Sequence, residues 1–149
     1  MRNAIFILFF AAIPVAGWAH DHHDMEQMES APAIPSDSLH HLDVPLTDQH
    51  GKTFRLADEH APATLLTMFY GDCQIACPII LESVKRTIDA LPAAQRNQAR
   101  ALLISLNPGI DTPAKLDQLA KSHGMPMSRY RFAVARNDEQ TRQLAAALG

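Results

Sequence analysis

The sequence predicts a single α/β domain built on a parallel sheet, and two observations support this fold class. Three apolar runs of strand length occur at 63–70, 101–106 and 130–135. Amphipathic segments with apolar residues at helical spacing follow these runs, so strands and helices alternate along the chain. The length of 149 residues leaves room for one ordinary domain, and 47% hydrophobic residues are enough for a core.

The charge and the cysteine content narrow the function. Basic and acidic residues are interspersed, with a formal net charge of -3, so no basic stripe is available for phosphates. Nucleic acid is therefore not an expected partner. Two cysteines are too few for a disulfide framework, but Cys73 and Cys77 lie only one helical turn apart. This clustering indicates a chemical role.

Residues 1–19 have the pattern of a secretory signal peptide. Arg2 precedes an apolar run and a small-x-small triplet at 17–19. The run is shorter than the roughly 20 residues that cross a bilayer, which favours cleavage after Ala19 over an uncleaved membrane anchor. We therefore expect the domain to lie outside the cytoplasm, which in a bacterial host means the periplasm.

The segment 20–41 is predicted to be a flexible tether, because it is rich in Pro, Ser, Asp, Glu, His and Met and lacks periodic apolar residues. Its imidazole and thioether groups suit copper in both oxidation states. The alternative interpretation is a solvated polar leader that binds no metal. The auxiliary copper ligands in this segment would be His20, His22, His23, Met25 and Met28.

A β-hairpin is predicted at the start of the domain. The turn residues 48–51 lie between the apolar stretches 44–46 and 53–56. The run 63–70 then has the composition of a buried central strand, and it ends shortly before Cys73.

Three amphipathic helices are predicted between and after the strands. The first spans 77–91, from a Cys-Pro start to a Leu-Pro stop. Thr112 is expected to cap the second helix, which has a proline in its first turn, and Gly124 is expected to end it. Asn137 or Asp138 is expected to cap the last helix, which continues to the end of the sequence.

The cysteines carry the chemistry. Cys73 at a strand end and Cys77 one helical turn later project their sulfurs to the same side of a helix start. The partial positive charge of a helix N-terminus lowers the pKa of a thiol and favours the thiolate. Thiolates are soft ligands that select Cu(I), and the same pair could instead close as a reversible disulfide. A static disulfide remains the structural alternative, whereas a structural zinc site needs more than two protein ligands.

Three motifs resemble the SCO/SenC family of copper proteins. The segment 69–78, FYGDCQIACP, is similar to the family's C-x-x-x-C-P signature. The segment 46–52 resembles its D-x-x-G hairpin, and the segment 104–113 resembles its S-x-D-P-x-x-D-T-P turn. The resemblance runs over 42–149 and implies a thioredoxin-like fold of the peroxiredoxin-like variant, with an N-terminal β-hairpin.

The resemblance also implies a function. Cys73 and Cys77 would hold copper, and the softness of the thiolates favours Cu(I). The protein would assist assembly of the copper centre of cytochrome c oxidase, with the copper-bearing subunit of the oxidase and periplasmic thiol reductants as partners. The alternative is a thiol-disulfide oxidoreductase that acts on periplasmic or copper-site cysteines through a Cys73–Cys77 disulfide. The C-x-x-x-C spacing differs from the usual C-x-x-C redox motif, and whether the chain is an enzyme stays open.

The chain departs from the family pattern at two places. Asn107 stands where the family turn usually has Asp. The family also supplies a third copper ligand, a histidine, after a segment resembling 138–149, and then adds further strands and a helix. The domain 42–149 is therefore expected to be C-terminally incomplete, lacking the usual last strands and helix. Replacement ligands, none of them favoured, would be the tether histidines or His40, His41, His123, Met125 and Met127.

Overall fold

The computed structural model describes residues 38–73 and 75–148, so the predicted signal peptide and the tether histidines at 20–23 lie outside the described residues. Five strands form one sheet: β1 (Leu46–Asp48), β2 (Thr53–Phe54), β3 (Ala63–Phe69), β4 (Ala99–Ser105) and β5 (Tyr130–Ala135). Four helices accompany it: α1 (Ala76–Asp89), α2 (Ala93–Gln98), α3 (Pro113–Ser122) and α4 (Asp138–Leu148). None of the helices in this part of the chain is both long and apolar enough to span a bilayer.

The sheet is mixed, with the strand order β2-β1-β5-β4-β3. The strands β3, β4 and β5 run parallel, as predicted, whereas the hairpin strand β1 pairs antiparallel with both β2 and β5. The predicted hairpin is confirmed. Its turn is held by the Asp48 carboxylate, which accepts hydrogen bonds from the amides of His50 and Lys52 at 3.0 and 2.9 Å. Gly51 supplies the positive φ of 81° that this turn requires.

Apolar side chains cover both faces of the sheet. Alternate residues of a strand point to opposite faces, so each parallel strand contributes to two clusters. On one face, α1 and α3 pack against a cluster that includes Phe69, Leu81, Leu103, Leu116 and Phe132. On the other face, α4 and the hairpin pack against a cluster that includes Leu46, Phe54, Leu102, Ile104 and Leu144.

The helix boundaries follow from their caps. The Thr112 hydroxyl accepts a hydrogen bond from the amide of Lys115 at 3.3 Å, which begins α3 at Pro113 as predicted. Gly124, with φ of 62°, follows the end of α3, which is also as predicted. At α4, the Asn137 side chain accepts a hydrogen bond from the amide of Gln140 at 3.0 Å, so Asn137 is the cap.

The expectation that 63–70 forms a buried central strand is wrong. β3 lies at the edge of the sheet, and among the described residues it pairs with β4 alone. Ala63, Thr64 and Leu65 are exposed, and only Phe69 at the far end is fully buried. An apolar run indicates that a segment forms a strand, but it does not indicate the position of that strand in the sheet. Here β4 and β5 lie inside the sheet, and β3 lies at its edge.

Candidate functional site

The two cysteines lie where β3 passes into α1. β3 ends at Phe69, whose carbonyl accepts a hydrogen bond from the Leu106 amide beyond β4 at 2.7 Å. The carbonyl of Tyr70 then accepts a hydrogen bond from the Cys73 amide at 3.3 Å, closing a turn. Cys77 is in the first turn of α1. Both thiols are free; Cys73 is half-buried, while Cys77 is only 4% exposed.

Backbone amides surround both sulfurs. No side chain caps α1 at Ile75, so the first amides of the helix remain available, and the Cys73 sulfur accepts hydrogen bonds from several of them. The Cys77 sulfur accepts a hydrogen bond from the Tyr70 amide at 3.3 Å. Cys73 packs against the buried cluster that contains Cys77, and the two thiols affect each other's pKa. The helix start thus holds both cysteines in one packed region, and their roles as copper ligands or as a disulfide stay predictions.

The two thiols have opposite acid strength. Hydrogen bonds from the amides of Ile75, Cys77 and Ala76 lower the pKa of Cys73 from 9.0 to about 7. Burial raises the pKa of Cys77 above 9.0, and the neighbouring Cys73 and the Asp111 carboxylate raise it further. Near pH 7 a large fraction of Cys73 is therefore thiolate, whereas Cys77 remains mainly a protonated thiol.

Alkylation of the reduced protein is expected to reveal this asymmetry. Iodoacetamide reacts with the thiolate, so the rate at Cys73 should level off at a lower pH than the rate at Cys77, and at neutral pH Cys73 should react much faster. The rates are measured by mass spectrometry of peptides after timed quenching, with Cys73→Ser as the control that isolates Cys77. Equal rates for the two thiols at pH 7.5 would contradict the asymmetry.

Two residues behind the thiols were not predicted as site residues. The Asp111 carboxylate accepts a hydrogen bond from the Gly71 amide at 2.9 Å and another from the Ser105 hydroxyl at 2.5 Å. Both side chains are buried. The signal that pointed to this region was the resemblance of the segment 104–113 to a family motif, which gave no function to individual residues.

Exposed apolar side chains lie beside the thiols. Tyr70 and Ile75 flank Cys73 in the loop, and Ile79 is one helical turn beyond Ile75. Their exposed fractions are 52%, 80% and 61%. Apolar groups of this size at the rim of a reactive site are suited to contact with another protein.

Two of the predicted replacement ligands, His40 and His123, lie away from the cysteines. His40 lines a cavity with Ala63 and Thr64 at the start of β3, which is the opposite end of the strand from Cys73. His123 follows the C-terminal end of α3, whereas the N-terminal end of this helix is next to the thiol site. Within 38–73 and 75–148, no group of three or more His, Cys, Asp or Glu residues is placed to hold a metal ion. The donor set of the described residues is thus two sulfurs, which fits Cu(I) and fits zinc poorly.

Comparison with known proteins identifies the family. Residues 37–147 match the SCO1/SenC family. The chain belongs to this family. A relative from Stutzerimonas stutzeri, whose name proposes copper binding, is 31% identical over 107 residues, which cover 70% of this chain and 49% of the relative. The SCO1/SenC chain thus spans about half the length of this curated relative.

Two solved structures confirm the thioredoxin-like fold of the SCO1/SenC chain. ScoI of Bradyrhizobium japonicum, solved with copper bound, superposes with a TM-score of 0.59 and 23% identity, covering 70% of this chain and 63% of ScoI. BsSco superposes with a TM-score of 0.58 and 17% identity, covering 69% and 59% of the two chains. BsSco is described as a member of the Sco family of cytochrome c oxidase assembly proteins, with a disulfide switch.

Proposed function

We propose that this SCO1/SenC chain carries Cu(I) between the sulfurs of Cys73 and Cys77 and delivers it to the copper-bearing subunit of cytochrome c oxidase. The observation that supports this proposal most directly is the packing of Cys73, whose thiol has a lowered pKa, against the buried cluster that contains Cys77. Copper is the cargo here, and a carrier must bind it tightly yet release it. The copper-binding relatives and the assembly role of BsSco add support.

The two thiols would contribute differently to Cu(I) binding. A large fraction of Cys73 is thiolate near pH 7, so it is the thiol expected to bind first, and the fraction that is still protonated must lose its proton. Cys77 must release a proton, and the positive charge of Cu(I) offsets the burial that otherwise disfavours its thiolate. Each Cu(I) bound near pH 7 would therefore release one to two protons, and affinity would rise with pH.

We place this activity outside the cytoplasm, in the periplasm of a bacterial host. The pattern of residues 1–19 supports export. Export would bring the thiols into an oxidising compartment, where a protein reductant must return a Cys73–Cys77 disulfide to the dithiol. The exposed apolar residues beside Cys73 are suited to both the reductant and the copper acceptor.

The unequal acid strength of the thiols also favours a second function, thiol-disulfide exchange. The Cys73 thiolate would attack a substrate disulfide, forming one sulfur–sulfur bond and releasing one substrate thiolate. Cys77, after losing its proton, would then attack the Cys73 sulfur, releasing the second substrate thiolate. The products are a Cys73–Cys77 disulfide and a reduced substrate, so the protein dithiol is oxidised by two electrons and the substrate disulfide is reduced by the same two electrons.

Titration of Cu(I) into reduced protein comprising residues 20–149, against a calibrated chelator that competes for copper, tests the proposal. We expect one tightly held Cu(I) that disappears in the Cys73→Ser, Cys77→Ser double variant. Circular dichroism of both proteins verifies that each is folded. Equal affinity in the double variant would assign the copper to other ligands, and absence of tight binding in both would leave thiol-disulfide exchange as the function to test.

A further inference from the structure

Asp111 is a buried carboxylate beside the thiol site, and among the residues that the structure describes it forms no ion pair. Asp111 is 2% exposed, and its Oδ2 atom accepts hydrogen bonds from both the Gly71 amide and the Ser105 hydroxyl. The Ser105 oxygen in turn accepts a hydrogen bond from the Asn107 amide at 2.9 Å. Burial of a charge is costly unless hydrogen bonds stabilise it, so these contacts must be strong enough to keep the carboxylate in place.

The loop approaches this carboxylate so closely that only glycine fits. A Cβ atom on residue 71 would lie 2.7 Å from the Asp111 Cγ atom and 2.8 Å from Oδ2. Contacts this short do not occur for real side chains. The absence of a side chain at Gly71 is therefore required by the Asp111 contact, and the φ angle of this glycine is not in the left-handed region.

Two successive amides of the loop are fixed by different acceptors. The Tyr70 amide donates to the Cys77 sulfur, and the Gly71 amide donates to Asp111. Gly71 is two residues before Cys73, so an anchor at its amide determines where the Cys73 turn begins. Within the described residues the side chain of Ile75 does not cap α1, and the Asp111 carboxylate ties the loop to the rest of the domain through a hydrogen bond across 40 residues.

We infer that Asp111, held by Ser105, is a positioning residue that fixes the loop at Gly71 and so keeps the Cys73 sulfur beside Cys77. Both hydrogen bonds are made by Oδ2, one to the loop and one to the sheet, so the carboxylate acts through the position of the loop. The expected effect of Asp111 on copper affinity rests on the proposed function. Its expected effect on the distance between the two sulfurs does not depend on that function.

The experiment measures the equilibrium between the Cys73–Cys77 dithiol and glutathione disulfide, which yields the protein disulfide and two glutathione thiols. This constant reports how well the two sulfurs are held together. We expect Asp111→Ala to lower this equilibrium constant by at least about tenfold, since the acceptor that anchors the Gly71 amide is lost. The equilibrium constant of Asp111→Asn should stay within about threefold of the parent value, because the single amide oxygen of Asn can accept both hydrogen bonds.

Asp117→Ala is the matched control. Asp117 is on α3, the helix that follows Asp111, and forms an ion pair with Lys121 at 2.6 Å, and its replacement should leave the constant within about twofold. Ser105→Ala removes one hydrogen bond from the Asp111 carboxylate but leaves the Gly71 contact, and about a threefold decrease is expected. Ser105→Ala decides the matter if circular dichroism shows that Asp111→Ala is unfolded.

Three results would overturn the inference. These are an unchanged constant in a folded Asp111→Ala protein, an unchanged constant in Ser105→Ala when Asp111→Ala is unfolded, and an equal loss in Asp111→Asn and Asp111→Ala. The last result would mean that charge, and not position, is what matters. The same variants are titrated with Cu(I). If the parent protein binds no copper tightly, the proposed function fails, while the glutathione equilibrium still decides the role of Asp111.

Discussion

Replacing either Cys73 or Cys77 with Ser is expected to lower the affinity for Cu(I) by at least about a hundredfold. Changes in the residues that merely support metal ligands typically cost 10–100-fold, and loss of one of two sulfur ligands should cost no less. In the described part of the chain, no group of three or more His, Cys, Asp or Glu residues is placed to hold a metal ion in their stead. The affinities are measured by competition with a chelator, and Ser83→Ala on the exposed side of α1 is a control that should match the parent.

The same two variants separate copper transport from thiol-disulfide exchange. Copper binding needs both sulfurs, so the two variants should lose affinity to a similar extent. Exchange uses them in sequence, so Cys77→Ser should accumulate a mixed disulfide at Cys73, whereas Cys73→Ser should form almost none. Mass spectrometry after incubation with a model disulfide protein measures the adduct. A Cys73→Ser protein that forms the adduct as fast as Cys77→Ser would contradict this order of attack.

Phe132→Ala is expected to lower the free energy of unfolding by about 3–5 kcal/mol, the usual range for a buried aromatic residue. Phe132 is 0% exposed at the centre of the sheet, and its ring meets that of Phe69 edge to face at a centroid distance of 5.6 Å. Truncation would leave a cavity beneath the strand end that leads to Cys73. The measurement is urea unfolding followed by circular dichroism.

Ile79→Ala provides the matched control for this loss of stability. Ile79 is an apolar residue of α1, but it is 61% exposed, and its truncation should change the unfolding free energy by no more than about 0.5 kcal/mol. A decrease below about 1 kcal/mol for Phe132→Ala would show that the face covered by α1 and α3 is not the stabilising core.

Much of the fold was predictable because local chemistry determines it. The hairpin turn depends on Asp48 and Gly51, and the start of α3 depends on Thr112, so each is encoded within a few residues. The short helix α2 was not predicted, because none of its residues is buried and it therefore has no apolar periodicity. The edge position of β3 was also missed, since strand order depends on pairing with β4 and β5 far along the chain.

Only part of the candidate site could be predicted from the sequence. The proximity of Cys73 and Cys77 follows from their spacing at a helix start, and in the structure Cys73 packs against the cluster that contains Cys77. The difference in acid strength depends on burial and on the free amides of α1, which a residue pattern does not reveal. The role of Asp111 depends on the parallel register that places Phe69 opposite Ser105, and this register is a property of the folded sheet.

The edge position of β3 affects how fast its backbone amides exchange with solvent and how easily the strand opens locally next to the site. In an edge strand, alternate amides face away from the neighbouring strand, so within the described residues β3 has ladder protection on one side only. Its last residue leads directly into the Cys73 loop. A copper ion or a disulfide that joins Cys73 to Cys77 would close a small ring between this strand and α1. Ligation would then slow the unzipping of β3 from β4, and the loaded and empty forms would differ in local dynamics as well as in composition.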